Sequence, residues 1–367
     1  MNIESIISLE NQYEKFLDIY NKNPLPIALC GAGAGADWAI KLLKKNNITP
    51  TLLIDRNPNI QNKWNLQLLS YEELISNYSN NDLYIIISSP KYRHDIYNSI
   101  KNFFNSEQIF DFECELYYNY IHNINEYRQY LLDNKIALYK LYDQLSDTLS
   151  KNTLENVFKG RFSADLSYFQ NIYQENQYFA KDIVSLTNNE TYCDIGAYIG
   201  DTVEEIVKLT NGNYNKIFCF EPDKLCFEKL KNNTSSFKNI TLINKGAWNK
   251  RETLFLSTDS SHGASKIDSK GHYSIELDQL DNCIPPETKI THIKMDIEGA
   301  ELNALKGAKN IIQRDTPILA ICVYHKIQDF VEIPNYILSL VPDYKLYLRH
   351  HNISGTETVL YAIKPQS

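Results

Sequence analysis

The sequence predicts an α/β fold in which two doubly wound domains of mostly parallel strands are joined by a helical connector. Three observations support this prediction: the length of the chain, short apolar runs that end in glycines or acids, and helical periodicity between those runs. The 367 residues exceed what one hydrophobic core usually serves. We expect a first, smaller domain over residues 1–112, a connector over 113–190 and a second domain over 191–367.

The first domain begins with a strand, a helix and a second strand. The apolar run PIALCGAG enters glycines, ADWAIKLLKKN has helical spacing, and TPTLLID closes on an acid. DLYIIISSP adds another buried strand, and YRHDIYNSIKNFF follows it with helical spacing. This alternation indicates a small Rossmann-like α/β domain.

The glycines after the first strand are spaced as in a dinucleotide-binding loop. Gly31, Gly33 and Ala36 fit the pattern G-x-G-x-x-A, and Asp55 follows 19 residues after Ala36. Such a loop lets the backbone approach a pyrophosphate at a helix N-terminus, and the acid is placed to accept a ribose hydroxyl. We expect a second nucleotide site here, for an NAD-like ligand or a nucleotide sugar. The alternative is that the glycines only let the helix and the strand pack closely.

The connector and the second domain differ in their periodicity. The connector is predicted to be helical over YRQYLLDNKIALYKLYDQL and SYFQNIYQENQYFAKDIVSL. The second domain returns to alternating strands and helices, with strands predicted at TYCDIG, KIFCFEP, NITLINKGAW, THIKMDIEG, PILAICVYH, YKLYLRH and TVLYAI. These runs are enough for a complete seven-stranded, mostly parallel sheet.

A second glycine turn follows the first strand of the second domain. Asp194 ends that strand, Gly196 and Gly200 bracket a tight turn, and Asp201–Thr202 open the next helix, where either residue could cap it. Glu221 ends the next strand, at the edge where a ribose would lie. The turn and the acid together favour a nucleoside ligand. The alternative is that Glu221 is only a solvated acid at a strand end.

Composition excludes several classes of protein. Lysine and arginine number 37 against 45 acidic residues, and no basic stripe could neutralise a nucleic-acid backbone. The seven cysteines form neither a CxxC pair nor a zinc-type spacing with histidine, so we expect reduced, buried thiols. The first residues lack the features of a signal peptide, and no apolar run is long enough to span a membrane. We expect a cytoplasmic protein.

Residues 178–367 resemble the FkbM-type S-adenosylmethionine-dependent methyltransferases through the motifs CDIGAYIGDT, FCFEPD, NKGAWN, IKMDIEGAELNALKGA and ETVLYAI. The resemblance implies a class I, Rossmann-like methyltransferase domain that binds S-adenosyl-L-methionine. It implies that the glycine turn touches the methionine part of the cofactor, Glu221 its ribose, and Ala247 and Trp248 its adenine. The implied cofactor-binding residues are Asp194, Gly196, Ala197, Tyr198, Gly200, Asp201, Thr202, Glu221, Pro222, Ala247, Trp248 and Asp296.

Two carboxylates are candidates for the chemistry of methyl transfer. Asp296 leaves the strand THIKMDIEG at its carboxyl end, where open α/β sheets bind ligands, and Glu298 follows two residues later. Mutual repulsion can raise one pKa toward neutrality and make that carboxylate a general base. The pair could instead share a divalent metal ion with the acceptor, or Glu298 could simply cap the next helix.

Histidines at strand ends are further candidates for the general base. His325 ends PILAICVYH, and His350 ends YKLYLRH beside His351, whose side chain should face away. The polar run STDSSHGASKI, with His262, could form a lid over the acceptor or a plain surface loop.

Three functions remain open from the sequence. The favoured one is an O-methyltransferase acting on a small molecule or glycan, with a sugar hydroxyl of a surface polysaccharide or its nucleotide-activated precursor suggested by the family resemblance. The second is an NAD(P)- or nucleotide-sugar-binding oxidoreductase or sugar-modifying enzyme that uses the first glycine loop. The third is a non-catalytic nucleotide sensor. The sequence leaves the oligomeric state open.

Overall fold

The computed structural model describes residues 1–57, 59–60, 64–258, 265–267 and 273–365. This described part of the chain divides into two compact units. The first unit comprises Met1–Lys135, Asn152–Tyr173 and Asn352–Thr356, and the second comprises Ile136–Lys151, Gln174–His351 and Glu357–Ser367. The segment predicted as a connector, 113–190, is therefore divided between the two units.

The α-helices are numbered in chain order. They are α1 Ile3–Ile7, α2 Gln12–Lys22, α3 Ala34–Lys45, α4 Tyr71–Asn77, α5 Arg93–Ile100, α6 Cys114–Asn119, α7 Ile124–Asp133, α8 Lys135–Gln144, α9 Thr148–Ser163, α10 Ser167–Gln170, α11 Asp201–Leu209, α12 Lys224–Asn233, α13 Leu280–Cys283, α14 Glu301–Lys306, α15 Lys309–Asp315 and α16 Asp329–Leu340. Short 3₁₀ turns lie at Pro90–Tyr92 and Ser106–Gln108. Within the described ranges, none of the helices combines the length and the apolar character needed to cross a bilayer.

The strands are numbered in the same way. They are β1 Ile27–Cys30, β2 Leu52–Ile54, β3 Gln67–Leu69, β4 Tyr84–Ile87, β5 Ile109–Phe110, β6 Thr191–Ile195, β7 Lys216–Phe220, β8 Ile240–Ile243, β9 Gly246–Ala247, β10 Glu252–Thr258, β11 Ser265–Ile267, β12 Tyr273–Asp278, β13 His292–Met295, β14 Ile318–Cys322, β15 Lys345–His350 and β16 Thr358–Ile363.

The first unit contains a parallel sheet in the order β3-β2-β1-β4-β5. Its inner strands β1 and β4 are buried along their whole length, as expected for strands that are covered on both faces. The sequence motifs indicate β1, β2 and β4 but not β3 or β5. Those two strands have three and two residues, too few to show a period-2 pattern.

One glycine of the first loop, Gly35, serves the packing of α3. A Cβ atom placed on Gly35 would lie 2.0 Å from the Ser88 carbonyl oxygen, so the helix approaches the end of β4 more closely than any other residue would allow. Gly31 has a φ of +105°, whereas a Cβ atom on Gly33 would meet nothing within 4 Å. Close helix packing therefore explains Gly35 without any ligand.

The second unit is built on the central sheet, whose described strands follow the order β15-β16-β14-β13-β6-β7-β8. Strands β14, β13, β6, β7 and β8 are mutually parallel, and β16 runs antiparallel to both of its neighbours. The carboxyl ends of the parallel strands meet at one edge, which we call the carboxyl edge. Because β16 runs in the opposite direction, the residue that precedes it also lies at this edge.

A small second sheet, in the order β11-β10-β12-β9, belongs to the same unit. The sequence does not predict it, because the polar run STDSSHGASKI is typical of a loop. The described parts of that run extend β10 to Thr258 and form β11 over Ser265–Ile267. The lid prediction for His262 lies outside the described residues.

The second half of the predicted connector is not the helix that its periodicity suggests. SYFQNIYQENQYFAKDIVSL is helical only over Ser167–Gln170 and then continues as turns and bends. Asn176 and Tyr178 have φ angles of +60° and +66°, which an α-helix cannot accommodate. The tyrosine-rich spacing reflects burial of Tyr178 and Phe179 in an irregular segment.

Gly35→Ala should lower the free energy of unfolding by about 1–3 kcal/mol, as expected for overpacking against a backbone that cannot move aside. Gly33→Ala should lower the free energy of unfolding by less than about 1 kcal/mol, because Gly33 is the N-cap of α3 and substitutions at such caps have effects of this size. Urea denaturation followed by circular dichroism measures both values. Equal losses in the two variants would contradict the packing role of Gly35.

Candidate functional site

A cavity of about 420 Å³ opens at the carboxyl edge of the central sheet. The sequence-predicted residues that line it are Gly196, Tyr198, Asp201, Thr202, Glu221, Pro222, Ala247, Trp248, Asp296 and Glu298. Lining residues that sequence reasoning does not single out include Gln177, Tyr178, Ile275, Leu277, Lys294 and Glu357. The structure therefore brings most of the predicted site residues together around one space.

The turn between β6 and α11 is shaped by residues with positive φ. Gly196, Tyr198 and Gly200 have φ angles of +81°, +46° and +94°. A Cβ atom on Gly196 would lie 2.1 Å from the carbonyl oxygen of Asp296, so only glycine lets the turn pass this close to the end of β13. The N-terminus of α11 then meets the cavity at Asp201 and Thr202.

Glu221 fastens this turn to the end of β7. Its carboxylate accepts a backbone N–H from Tyr198 at 2.9 Å and another from Asp223 at 2.8 Å. Burial raises the pKa of Glu221 to about 7, against the lowering effect of these hydrogen bonds. A carboxylate has further lone pairs for ligand hydroxyls, so Glu221 can clamp the turn and still face the cavity.

The small sheet supplies an apolar wall. Ala247 belongs to β9, which pairs with β12. The next residue, Trp248, donates its backbone N–H to the carbonyl of Asp278 at 2.8 Å. Ile275 and Leu277 of β12 are buried and pack with Trp248. These side chains line the cavity and form a surface suited to a flat ring.

Asp194 lies beside the cavity and is absent from the described residues that line it. It is fully buried and forms an ion pair of 3.0 Å with Lys294, its register partner on β13. Lys294 also donates to the carbonyl of Gly196 at 2.7 Å and lies 5.1 Å from the ring centre of Tyr178. Burial raises the pKa of Asp194, although the Lys294 ammonium opposes this shift. Asp194 thus acts on the cavity through Lys294.

Ala197 and Gly200 also belong to the turn without lining the cavity, as far as the described residues go. The backbone N–H groups of Gly196 and Ala197 both donate to the carbonyl of Phe220 at 3.0 Å. Gly200 donates to the carbonyl of Ala197 at 2.8 Å. These two predicted cofactor residues shape the turn through their backbone.

Asp296 is held in an ionised state. Tyr178 donates to its Oδ2 at 2.8 Å, and its Oδ1 lies 3.5 Å from His325 Nε2. Burial would raise the pKa of Asp296, but the positive charges of His325 and Lys294 hold it below its usual value. The repulsion predicted to raise one of the two pKa values, of Asp296 or Glu298, therefore does not raise that of Asp296.

His325 lies among three acids. Its Nε2 is 3.5 Å from Asp296 and 3.6 Å from Glu298, and its Nδ1 is 3.1 Å from the fully buried Glu301. Burial lowers its pKa, but the three carboxylates outweigh burial and raise it to about 10. The neighbouring carboxylates therefore favour the protonated form of His325, and its role as a general base stays a prediction. Glu298 lies in the turn before α14, directly before Gly299, and has a φ of +56°. It is therefore not the residue that caps this helix.

Two overlapping clusters in the described chain are compact enough to hold a metal ion: Asp296 with Glu301 and His325, and Asp296 with Cys322 and Glu357. In the first cluster, the positive charge of a protonated His325 compensates the negative charge of the carboxylates. A metal held by Asp296 and Glu298 stays a prediction.

Glu357 is a cavity residue that sequence reasoning misses. It immediately precedes β16, has a φ of +65° and lines the cavity. Gln177 Nε2 donates to its Oε2, and the Tyr324 hydroxyl lies 3.2 Å from its Oε1. Burial, reinforced by the charge of Asp296, raises the pKa of Glu357 to about 7. The signals in the sequence are a charged residue at the start of an apolar strand and the place of that residue in the motif ETVLYAI.

His350 does not reach the cavity. It ends β15 at the carboxyl edge, but β16 and β14 separate it from β13 in the sheet order. Its ring is fully buried, with Nδ1 2.9 Å from the Thr358 hydroxyl. His351 is 2.9 Å from both the Gln174 carbonyl and the Tyr361 hydroxyl, and burial lowers its pKa to about 4. The strand order does not bring His350 together with Asp296, and the catalytic role predicted for His350 stays a prediction.

The predicted second nucleotide loop lies at the ends of β1 and β2 in the first unit. Asp55 accepts the backbone N–H of Ala32 at 2.9 Å and that of Asn57 at 2.9 Å, so its carboxylate already ties the loop together. Ala36 is fully buried in α3. These contacts form without a ligand, and a nucleotide bound by Gly31, Gly33 and Asp55 stays a prediction.

Comparison with known proteins agrees with this geometry. Residues 194–352 match the model of the methyltransferase FkbM domain. The chain is similar, over 95% of its length and 93% of the other chain, to the crystal structure of a methyltransferase FkbM from Methylobacillus flagellatus KT, with 22% identity and a TM-score of 0.74. This likeness shows a shared fold. A search of the curated proteins finds no match.

Other similar structures cover about half of the chain. An rRNA methylase from Streptococcus thermophilus has 16% identity and a TM-score of 0.34, over 49% of this chain and 90% of the other. A fibrillarin from Aeropyrum pernix in complex with natively bound S-adenosyl-L-methionine has 10% identity and a TM-score of 0.33, over 51% and 72%.

The sheet order and the cavity at its carboxyl edge define an α/β protein with a Rossmann-like sheet. Residues 194–352 match the FkbM methyltransferase domain, and the chain is a methyltransferase.

Lys294→Met should lower the free energy of unfolding at pH 7 by about 3–5 kcal/mol, because it leaves Asp194 buried without its partner. The deficit should shrink toward pH 5. A buried acid whose folded-state pKa is raised takes up a proton there and regains the stability that is lost as the pH rises. Urea denaturation at pH 5 and pH 7 measures both effects.

The double variant Asp194→Asn/Lys294→Met provides the control for this prediction. It removes both charges and should recover part of the stability lost in Lys294→Met. If the double variant is as unstable as Lys294→Met and the loss of stability does not depend on pH, the ion pair does not contribute to stability in the way predicted.

Proposed function

We propose that the protein is an S-adenosyl-L-methionine-dependent O-methyltransferase. The observation that carries this proposal is the composition of the cavity, which has a nucleoside-type end and a charged end. The glycine turn, Glu221 and the Trp248 wall form the first end, and Asp296 with its partners forms the second. The FkbM match over residues 194–352 implies S-adenosylmethionine as the methyl donor.

The residues that line the cavity support one orientation for the proposed cofactor. Glu221 faces the ribose hydroxyls, the wall of Trp248, Ile275 and Leu277 packs on the adenine, and the methionine part follows the turn from Gly196 toward α11. The volume of about 420 Å³ lies within the usual range for small-molecule sites. This orientation directs the sulfonium toward Asp296.

The chain has two tasks in the reaction. S-adenosylmethionine supplies an activated methyl group, so the protein must align an acceptor hydroxyl and accept its proton. The ionised Asp296 can attract the positive sulfonium and accept a hydrogen bond from the acceptor. Its fixed position, set by Tyr178 and His325, supports alignment.

We further propose that the acceptor is a small molecule or glycan with a sugar hydroxyl, such as a polysaccharide precursor. The family resemblance supports this class, and the polar residues at the charged end, Gln177, Glu298 and Glu357, offer hydrogen bonds to hydroxyl groups.

The seven cysteines are all free, and each lies within the described residues, which supports a cytoplasmic location.

S-adenosylhomocysteine, the product of the donor, should stabilise the protein against unfolding by about 2.7 kcal/mol at 100 times its Kd. Its affinity should rise from pH 6 to pH 8, because Glu221, with a pKa of about 7, then loses its proton and accepts the ribose hydroxyls better. Isothermal titration calorimetry at both pH values measures this change.

Glu221→Gln should weaken the binding of S-adenosylhomocysteine about tenfold or more, the scale of a lost hydrogen bond to a charged group. It should also remove the pH dependence. Glu228→Gln, at an exposed glutamate of the same unit, is the matched control. Stabilisation by NAD and not by S-adenosylhomocysteine would overturn the proposed function.

Asp296→Asn should abolish methyl transfer and leave the affinity for S-adenosylhomocysteine close to that of the wild type. The substitution keeps the size of the side chain but removes the charge that faces the sulfonium. Turnover is followed with tritium-labelled S-adenosylmethionine and a panel of methyl glycosides, and affinity by calorimetry. Full turnover in this variant would exclude an essential role for Asp296.

A further inference from the structure

We propose that Glu357 is the general base of the reaction, and that Gln177 and Tyr324 position its carboxylate. The inference rests on the proposed methyl transfer and names the residue that takes the proton from the acceptor. Glu357 and Gln177 both lie outside the matched segment 194–352. The second unit completes its charged end with residues from before and after that segment.

The direction of β16 brings Glu357 to the site. Parallel strands place their last residues at the carboxyl edge, but β16 is antiparallel to β14, so its preceding residue lies there instead. Val359 is the register partner of Cys322, which places Glu357 beside the residues that follow β14. The carboxylate consequently shares the cavity with Asp296.

The carboxylate of Glu357 is oriented on both oxygens. Gln177 Nε2 donates to Oε2, and the Tyr324 hydroxyl lies within reach of Oε1 at 3.2 Å and of Asp296 Oδ1 at 3.3 Å. A carboxylate has more lone pairs than these contacts use, and Glu357 lines the cavity. A base must be within hydrogen-bond reach of the proton it accepts, and this orientation meets that requirement for a hydroxyl placed in the cavity.

The two cavity carboxylates have different surroundings. His325 and Lys294 face Asp296 and keep it ionised. The groups that interact with Glu357 are Asp296, Tyr324, Gln177, His325, Tyr178 and Cys322. Burial and the charge of Asp296 raise the pKa of Glu357 to about 7, although Gln177, His325 and Tyr324 lower it. Two carboxylates whose pKa values are pushed apart are the pattern of paired catalytic acids.

Other candidates for the base fit less well. The carboxylates around His325 raise its pKa and favour its protonated form, and its Nδ1 faces the buried Glu301, so it is a poorer proton acceptor. Asp296 has a lowered pKa and is a weaker proton acceptor than a carboxylate with a pKa near neutrality. His350 is separated from β13 by the two strands β16 and β14.

The proposed step conserves atoms and charge. The acceptor oxygen attacks the methyl carbon of the sulfonium, an O–C bond forms, and the C–S bond breaks with its electron pair moving to sulfur. The products are a methyl ether and the neutral thioether S-adenosylhomocysteine. The hydroxyl proton moves to Glu357, which becomes a neutral carboxylic acid and releases the proton to solvent after turnover.

The first experiment measures kcat against pH with tritium-labelled S-adenosylmethionine and a panel of methyl glycosides. In the wild type, kcat should rise as Glu357 loses its proton around pH 7, because only the carboxylate accepts a proton. Glu357→Gln should lower kcat about 10²–10⁴-fold and remove this pH dependence. Glu357→Asp keeps a carboxylate and should retain the pH dependence at a reduced rate.

Calorimetry with S-adenosylhomocysteine separates this inference from the proposed function. Glu357→Gln should bind the product as tightly as the wild type and as the control Glu332→Gln, which changes an exposed glutamate of the same unit. If the wild type does not bind it, the proposed function fails. If it binds and Glu357→Gln still turns over at the wild-type rate with an unchanged pH profile, Glu357 is not the base.

The second experiment decides the proposal without an identified acceptor. Carbon-13 NMR of protein labelled at the glutamate carboxyl carbons, saturated with S-adenosylhomocysteine, follows the titration of each group. The resonance that disappears in Glu357→Gln should titrate near pH 7 and shift to lower pH in Asp296→Asn. A Glu357 carboxyl that titrates at about 4.3, the ordinary glutamate value, would overturn the inference.

Discussion

The buried ion pair between Asp194 and Lys294 is the interaction on which the site depends. These residues are register partners on β6 and β13, at the centre of the central sheet, and both are almost fully buried. The Lys294 ammonium also binds the Gly196 carbonyl and lowers the pKa of Asp296. One cation therefore ties the glycine turn to the end of the neighbouring strand. A buried charge needs such a partner, since its desolvation is otherwise uncompensated.

The charged residues at the carboxyl edge interact in sequence, each with the next. The buried Glu301 orients His325 and helps to keep it protonated, His325 faces Asp296, and Asp296 in turn raises the pKa of Glu357. Each group is fixed by packing before any ligand arrives. Preorganised charge of this kind stabilises a reacting centre without reorganisation during the reaction. A negative wall also suits a positively charged methyl donor.

Much of the second unit could be predicted from its sequence, because buried strands are continuous apolar runs. TYCDI, KIFCF, HIKM and ILAIC coincide with β6, β7, β13 and β14, and the residues that directly follow β6, β7 and β13 line the cavity. The small sheet and the irregular segment around Gln177 and Tyr178 could not be predicted in this way. Their structure depends on antiparallel pairing and on positive φ angles at Asn176 and Tyr178, neither of which leaves a periodic signal.

The sequence by itself determined the α/β class, the glycine turn and the acids that follow the parallel strands, because these depend on local patterns and on the carboxyl-edge rule. Only the tertiary structure decided which polar groups share the cavity. It separated His350 from Asp296 through strand order and brought Glu357 in through the reversed direction of β16. It also decided ionisation, since the charges of His325 and Asp296 depend on neighbours that are distant in the chain. Strand order, strand direction and proton affinity are set by contacts that no single stretch of sequence contains.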